Sequence, residues 1–151
     1  MRTVVLCGAL LAGLFSGQVA FGQQAAPVSR PTLDFEFFRT KVQPIFLAKR
    51  PGHARCVACH AGSSAPAVLQ LQALPAGSTT WDEEASRKNF EAVKRVVVAG
   101  NVKSPLLVHP LTEDAGGDFF HSGGKHFNSQ NDPEWLTLKA WVMGQTLSAS
   151  K

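Results

Sequence analysis

The sequence predicts an all-α domain, and three observations favour this fold class. Apolar residues recur at helical spacing in three segments, which begin near residues 33, 81 and 133. Each segment is preceded by residues suited to cap a helix, around Thr32, Thr80 and Asp132. No segment shows the repeated alternation of apolar and polar residues that a multi-strand sheet would need.

The first predicted helix starts near Leu33, with Thr32 as its N-cap. Pro44 falls inside the helical pattern and should kink or restart the helix, because proline has no backbone N–H. The segment 50–52, Arg-Pro-Gly, should end it. The apolar stripe of this helix comprises Phe35, Phe38, Val42 and Phe46.

The second predicted helix covers residues 81–98, after a loop over residues 61–80 whose leucines should turn inward. Thr80-Trp81-Asp82-Glu83 has the form of a capping box, and Gly100 should stop the helix. Its apolar face comprises Phe90, Val93 and Val97, and the inward leucines of the loop are Leu69, Leu71 and Leu74.

Residues 101–131 contain prolines, glycines and three of the five histidines, which predicts an irregular segment. The last helix has the clearest signals: Asp132 as N-cap, Pro133 at the first helical position and Gly144 at the end. Its apolar face comprises Trp135, Leu138, Trp141 and Val142.

The N-terminus predicts a secretory signal peptide over residues 1–22. Arg2 precedes an apolar run at residues 4–15, and Ala20-Phe21-Gly22 fits a cleavage site. The apolar run is shorter than the roughly 20 residues that cross a membrane. No second apolar run is long enough to span a bilayer, so no stable membrane insertion is expected after cleavage. Residues 23–32 should form a disordered leader and residues 33–151 one domain. The expected location is the periplasm.

The charge of the chain indicates no nucleic-acid partner. The formal net charge is +4, and the Lys and Arg residues are mixed with acidic ones rather than gathered into a run.

The main motif is Cys56-Val57-Ala58-Cys59-His60. The pattern Cys-x-x-Cys-His is typical of covalent haem c attachment, with the thiols added across the two vinyl groups and the histidine as proximal iron ligand. Other interpretations are a thioredoxin-like redox pair, half of a zinc site or a plain disulfide. The sequence lacks the βαβ context of the first and the second ligand pair of a zinc site, and a disulfide leaves His60 unexplained.

The ligand on the other side of the iron should be a histidine. His121 is the first choice, because two aromatic residues precede it and two glycines follow one residue later. His126 is the second choice and His109 the third. Met143 lies at the end of the last helix and is interpreted as a packing or surface residue, and His53 as a surface residue or a neighbour of a haem propionate.

Three motifs carry a family resemblance. They are the Phe-x-x-Lys-Val-Gln-Pro-Ile-Phe helix that leads into the attachment motif, the segment 104–111 with Ser-Pro-Leu-Leu and His-Pro-Leu, and the segment 121–127, His-Ser-Gly-Gly-Lys-His-Phe, before the final helix. Over residues 33–144 the chain resembles the monohaem domains of the planctomycete-type cytochrome C family, which are related to class I cytochromes c.

The resemblance implies a cytochrome c-like fold, with N-terminal and C-terminal helices packed around a covalently bound haem. It assigns the distal ligand to His121 more readily than to His126. Many class I cytochromes use a methionine before the last helix, and this chain has none there. A histidine ligand implies a lower reduction potential, since methionine ligation raises it.

These features predict an electron carrier rather than an enzyme, with no catalytic residues and with redox proteins as partners. Lys49, Arg50 and Arg55 flank the motif and could dock an acidic partner, pair with haem propionates or form a solvated basic stretch. Two alternatives stay open. One is a haem enzyme or gas sensor, peroxidase-like, with an open distal site; the other is a non-enzymatic module that binds zinc at the cysteines.

Overall fold

The computed structural model describes residues 29–63 and 65–147, and this part of the chain is mostly helical with almost no strands. The predicted signal peptide and residues 23–28 of the predicted leader lie outside the described residues. The elements are α1 (Phe35–Phe37), a π-helical segment (Phe38–Val42), α2 (Gln43–Leu47), α3 (Cys56–His60), α4 (Glu83–Lys94), α5 (Pro105–Val108), a 3-10 turn (Glu113–Ala115) and α6 (Pro133–Val142). Within the described ranges, β-structure is limited to isolated bridges, and no helix is both long and apolar enough to cross a bilayer.

The first helix begins two residues later than predicted. The N-cap is Asp34 rather than Thr32, because the Asp34 carboxylate accepts a hydrogen bond from the Phe37 N–H at 2.6 Å. Before Pro44 the helix widens into the π segment, where the N–H of Gln43 bonds to the Phe38 carbonyl. The predicted kink or restart at the proline takes the form of this change in hydrogen bonding: the backbone stays helical through Val42 and Gln43, where α2 begins.

The helix α2 ends at Leu47, before the Arg-Pro-Gly segment at 50–52 that was predicted to stop it. The chain leaves the helix at Ala48, which has extended backbone angles. The helix therefore ends three residues before Arg50, where the predicted stop signal begins.

The second predicted helix is confirmed in its centre and wrong at both ends. The N-cap is Asp82 rather than Thr80, and its carboxylate accepts from the Ala85 N–H at 2.8 Å. The helix ends at Lys94 instead of residue 98. Beyond that point the Val96 carbonyl accepts from the Leu106 N–H at 3.2 Å, so a distant segment takes the hydrogen bond that a longer helix would have used.

The last helix agrees with its prediction. The Asp132 carboxylate accepts from the N–H groups of Glu134 and Trp135 at 2.9 and 3.2 Å. Pro133 is the first helical residue, and Gly144 follows the helix with a φ of +90°. All four residues predicted for its apolar face are buried: Trp135, Leu138, Trp141 and Val142.

An aromatic cluster joins the first helix, α4 and α6. The Phe38 ring lies 5.4 Å from Phe90 and 5.3 Å from Trp141, measured between ring centroids. The Trp141 indole N–H also donates to the Asp34 carbonyl at 2.8 Å. Both Phe38 and Trp141 are fully buried, so these contacts form the centre of the core and bring the first and last helices together.

The irregular segments are predicted correctly in outline. In the loop before α4, Leu71 is buried, and Leu69 and Leu74 are partly buried against the core. Residues 101–131 contain only the short α5 and the 3-10 turn, neither of which was predicted. Gly117 allows a tight fold here, because a Cβ at this position would lie 1.9 Å from the Leu111 carbonyl oxygen.

Candidate functional site

A largely apolar cavity of about 440 Å³ lies between α3 and the loops that follow α3 and α5. Its size falls within the range of small-molecule and cofactor sites, roughly 300–1,000 Å³. Every site residue predicted from the sequence lines it: Cys56, Cys59, His60, His121 and His126. The apolar walls include Ile45, Phe46, Leu69, Leu71, Leu106 and Leu138.

The helix α3 presents both thiols to the cavity. The motif forms a short helical turn, and Val57 buries its side chain in the core and anchors the turn there. Cys56 is partly buried and Cys59 is exposed, and both are free thiols. Burial raises the pKa of the Cys56 thiol. One turn of helix therefore places two thiols of unequal exposure at the wall of one apolar cavity.

His60, at the end of α3, is held by the loop that folds back over it. Its ring Nδ1 lies 3.1 Å from the Leu69 carbonyl oxygen, and its own carbonyl accepts from the Leu71 N–H at 2.6 Å. A carbonyl oxygen can only accept, so Nδ1 carries the proton in this contact. The lone pair of the neutral ring is then on Nε2, the arrangement that metal-ligating histidines usually show.

His121 is positioned in the same way by a tight turn. Its Nδ1 lies 2.6 Å from the Gly124 carbonyl oxygen, while the Gly124 N–H donates to the His121 carbonyl at 2.9 Å. Gly124 has a φ of +81°, a conformation that favours glycine. Burial is the main cause that lowers the pKa of His121, which favours the neutral ring with its lone pair on Nε2.

The two held histidines lie at a separation that would suit one shared metal ion. The ring centroids of His60 and His121 are 6.1 Å apart, and the ring planes differ by 14°. Metal–imidazole bonds are about 2 Å long, so two rings bound on opposite sides of one ion have centres about 6 Å apart. The separation and the donor types would therefore allow His60 and His121 to hold one haem iron, beside two thiols on the same helical turn.

His126, the second-choice ligand, has different surroundings. It is buried, its ring centroid lies 5.8 Å from His121 and 5.4 Å from His53, and its Nδ1 has no hydrogen-bond partner. Burial, and next the positive charge of Arg50, lower the pKa of His126 to about 4. Its ring therefore stays neutral near pH 7, and no backbone carbonyl orients it as the carbonyls orient His60 and His121.

The remaining ligand candidates are less well placed. His109 lines the cavity, but its Nδ1 lies 2.9 Å from a carboxylate oxygen of Asp118 and the residue is exposed. Met143 is 44% exposed and does not line the cavity, as expected for a packing or surface residue. His53 is exposed and contacts His126.

Two contributions of the tertiary structure were not predicted. The Lys125 ammonium donates to the carbonyls of His109 and Asp118 and so ties the loop around His121 together. Arg50, one of three flanking basic residues in the sequence, has a largely buried side chain: its guanidinium pairs with Glu134 and lies 5.1 Å from the centre of the Phe127 ring. Neither contact has a local signal, because the hydrogen-bond partners lie 7 and 16 residues from Lys125 and 84 residues from Arg50, beyond one helical turn.

Comparison of the chain with protein-family models, with curated proteins and with solved structures found no match. Among the described residues, no three or more His, Cys, Asp or Glu side chains are grouped so that they could hold a metal ion. A haem iron needs only two ligands from the protein, because the porphyrin supplies the other four.

Proposed function

We propose that this protein is an exported monohaem c-type cytochrome that carries single electrons between redox proteins. The observation that carries the proposal is the pairing of His60 with His121, with parallel rings 6.1 Å apart at the cavity that Cys56 and Cys59 also line. The attachment motif was recognised from the sequence, whereas this pairing depends on the fold.

Four side chains would hold the haem. Cys56 and Cys59 would form thioether bonds to it, and the Nε2 atoms of His60 and His121 would bind its iron. When bound, haem supplies one-electron oxidation and reduction at its iron. The carbonyls of Leu69 and Gly124 keep both imidazoles in the tautomer that has its lone pair on Nε2.

The rest of the cavity supports an electron carrier more than an enzyme. With a histidine on each side, no iron position is left for a substrate. The apolar walls, among them Phe46, Leu106 and Leu138, exclude water. At the rim, Val68 and Phe120 are 66% and 65% exposed, so the edge of a bound group would lie near the surface, within reach of a partner protein.

Within this proposal the chain would adopt the cytochrome c-like fold of the planctomycete-type family, related to class I cytochromes c. Support comes from the contact between the first and last helices, each of which also contributes a wall residue to the cavity, Phe46 and Leu138. Two histidine ligands would give a lower potential than a histidine–methionine pair. The periplasmic location rests on the sequence of residues 1–22, and acidic redox partners on the exposed Lys49 and Arg55.

The test is to produce the full chain in a host that matures c-type cytochromes and to purify it. We expect an N-terminus at Gln23, a mass increased by one covalent haem, and the absorption spectrum of six-coordinate low-spin haem. A colourless protein with unmodified Cys56 and Cys59 would sink the proposal. Covalent haem with a high-spin spectrum would instead favour the haem enzyme or gas sensor with an open distal site.

A further inference from the structure

Two buried nitrogen atoms next to the cavity have no hydrogen-bond partner: Arg50 Nη1 and His126 Nδ1. The Arg50 side chain is only 12% exposed, and His126 is 8% exposed. Buried polar groups are nearly always paired, and an unpaired charged donor is especially costly. These two atoms therefore indicate that a hydrogen-bonding group is missing from their surroundings.

The other contacts of Arg50 fix its guanidinium without satisfying Nη1. Its Nη2 donates to the Glu134 carboxylate and lies 3.5 Å from the Ile45 carbonyl. The guanidinium also stands over the Phe127 ring. Because these contacts use Nη2 and the face of the group, Nη1 stays free for an acceptor from elsewhere.

The two unpaired atoms belong to side chains at the boundary of the main cavity. His126 lines the main cavity. It also lines a second, more open cavity of about 430 Å³, whose other lining residues include Arg50, His53 and Glu134. Phe127, which the guanidinium covers, lines the main cavity. A group that projects from a ligand of the main cavity toward His126 would therefore approach Arg50.

The chemistry of the missing group follows from the two donors. Arginine can only donate, and a neutral imidazole donates from Nδ1 when the proton is on that atom, so one group that serves both donors accepts two hydrogen bonds. A carboxylate does this and also matches the charge of the guanidinium. Haem carries two propionate carboxylates. We propose that Arg50 and His126 bind a propionate of the attached haem, an inference that rests on the proposed function.

The test compares variants of the haem-loaded protein by two measurements: the propionate bending band in the resonance Raman spectrum and the reduction potential. His126→Phe keeps the ring shape but removes the donor, whereas His126→Asn keeps an N–H close to the position of Nδ1. Arg50→Gln removes the charge, and Lys49→Gln removes an equal charge from an exposed neighbour. Glu134→Gln removes only the known partner of Arg50.

We expect the band to shift in His126→Phe and in Arg50→Gln, and to stay in place in His126→Asn, Lys49→Gln and Glu134→Gln. The potential should fall further in Arg50→Gln than in Lys49→Gln, because an unpaired propionate favours the oxidised iron. If Arg50→Gln does not fold, the pair His126→Phe and His126→Asn decides the matter alone.

An unchanged band in His126→Phe, or an equal shift in Lys49→Gln, would overturn the propionate site. Either result leaves the cytochrome proposal standing, because the haem is still attached. Failure of the proposed function looks different, because the wild-type protein itself would then carry no covalent haem.

Discussion

The helical core and the loop before His121 place their aromatic side chains in opposite ways. In the core, Phe38 and Trp141 are fully buried and contact each other. In the loop before His121, Phe119 and Phe120 are 84% and 65% exposed. The same residue type is thus packed in one region and left on the surface in the other.

The polar groups of the two regions differ as well. Core amides are partly satisfied: Gln43 donates to Ser86, and Asn89 accepts from the Gln72 N–H. Around the cavity, the unpaired atoms belong to a charged arginine and a buried imidazole. Among the residues that the structure describes, each region thus keeps two unpaired buried atoms, and those of the core are Gln43 Oε1 and Asn89 Nδ2. Only the pair at the cavity includes a charged donor beside an open space, so we expect a ligand to complete the cavity region rather than the core. The following predictions test that contrast, in order of decreasing effect.

The largest effect is expected at the attachment motif. Cys56→Ala combined with Cys59→Ala should abolish covalent haem completely, because no thiol then remains at the cavity. Haem staining after denaturing electrophoresis measures this directly. Cys7→Ser is the matched control, since residue 7 belongs to the predicted signal peptide; loss of haem in this control would contradict that assignment.

The next effect is a change in the coordination of the iron. His121→Ala should convert the low-spin spectrum to a high-spin one, because the distal nitrogen is removed. His126→Ala and His109→Ala should both keep the low-spin spectrum. A high-spin spectrum for His126→Ala beside a low-spin one for His121→Ala would show that the second-choice ligand is the true one.

In the core, Trp141→Ala should lower the free energy of unfolding by about 3–5 kcal/mol, the usual loss for a buried large aromatic residue. It removes contacts with Phe38 and Phe90 and the hydrogen bond to Asp34. Leu136→Ala, at a 44% exposed site on the same helix, should cost less than about 1 kcal/mol. Denaturant titration of the haem-loaded protein measures both; equal losses would mean that the cluster is not the centre of the core.

The N-cap of α6 should contribute less to the free energy of unfolding than Trp141 does. Asp132→Ala should cost about 1 kcal/mol, because two backbone N–H groups lose their acceptor. Asp132→Asn keeps an acceptor in place and should retain most of the stability. Should the two variants unfold at the same denaturant concentration, the carboxylate is not acting as a hydrogen-bonding cap.

The smallest effect is expected in the exposed loop. Phe119→Ser should change the free energy of unfolding by no more than about 0.5 kcal/mol, as is usual at surface sites. Phe38→Ala serves as the buried counterpart and should cost about 3–5 kcal/mol. A large loss for Phe119→Ser would break the contrast between the two regions, because this ring would then have to be packed.

Local sequence signals predicted which segments are helical better than they predicted the residues at which each helix begins and ends. Asp132 and Pro133 act on the first turn of the last helix, and Gly144 acts just beyond its last turn. All three agree with the structure. At the other two long helices several side chains could act as caps, and the sequence pattern favoured Thr32 and Thr80 where the structure uses Asp34 and Asp82. The early end of α4 depends on a bond between Leu106 and Val96, which no local pattern contains.

The sequence by itself determined the helical class, the last helix and the Cys-x-x-Cys-His motif at residues 56–60, because each depends on neighbours within a few positions. Only the tertiary structure decided how His121 lies relative to His60, and that Arg50 is buried beside His126. Such pairings join residues tens of positions apart. Their geometry follows from how the loops close over the core, and spacing in the chain does not encode it.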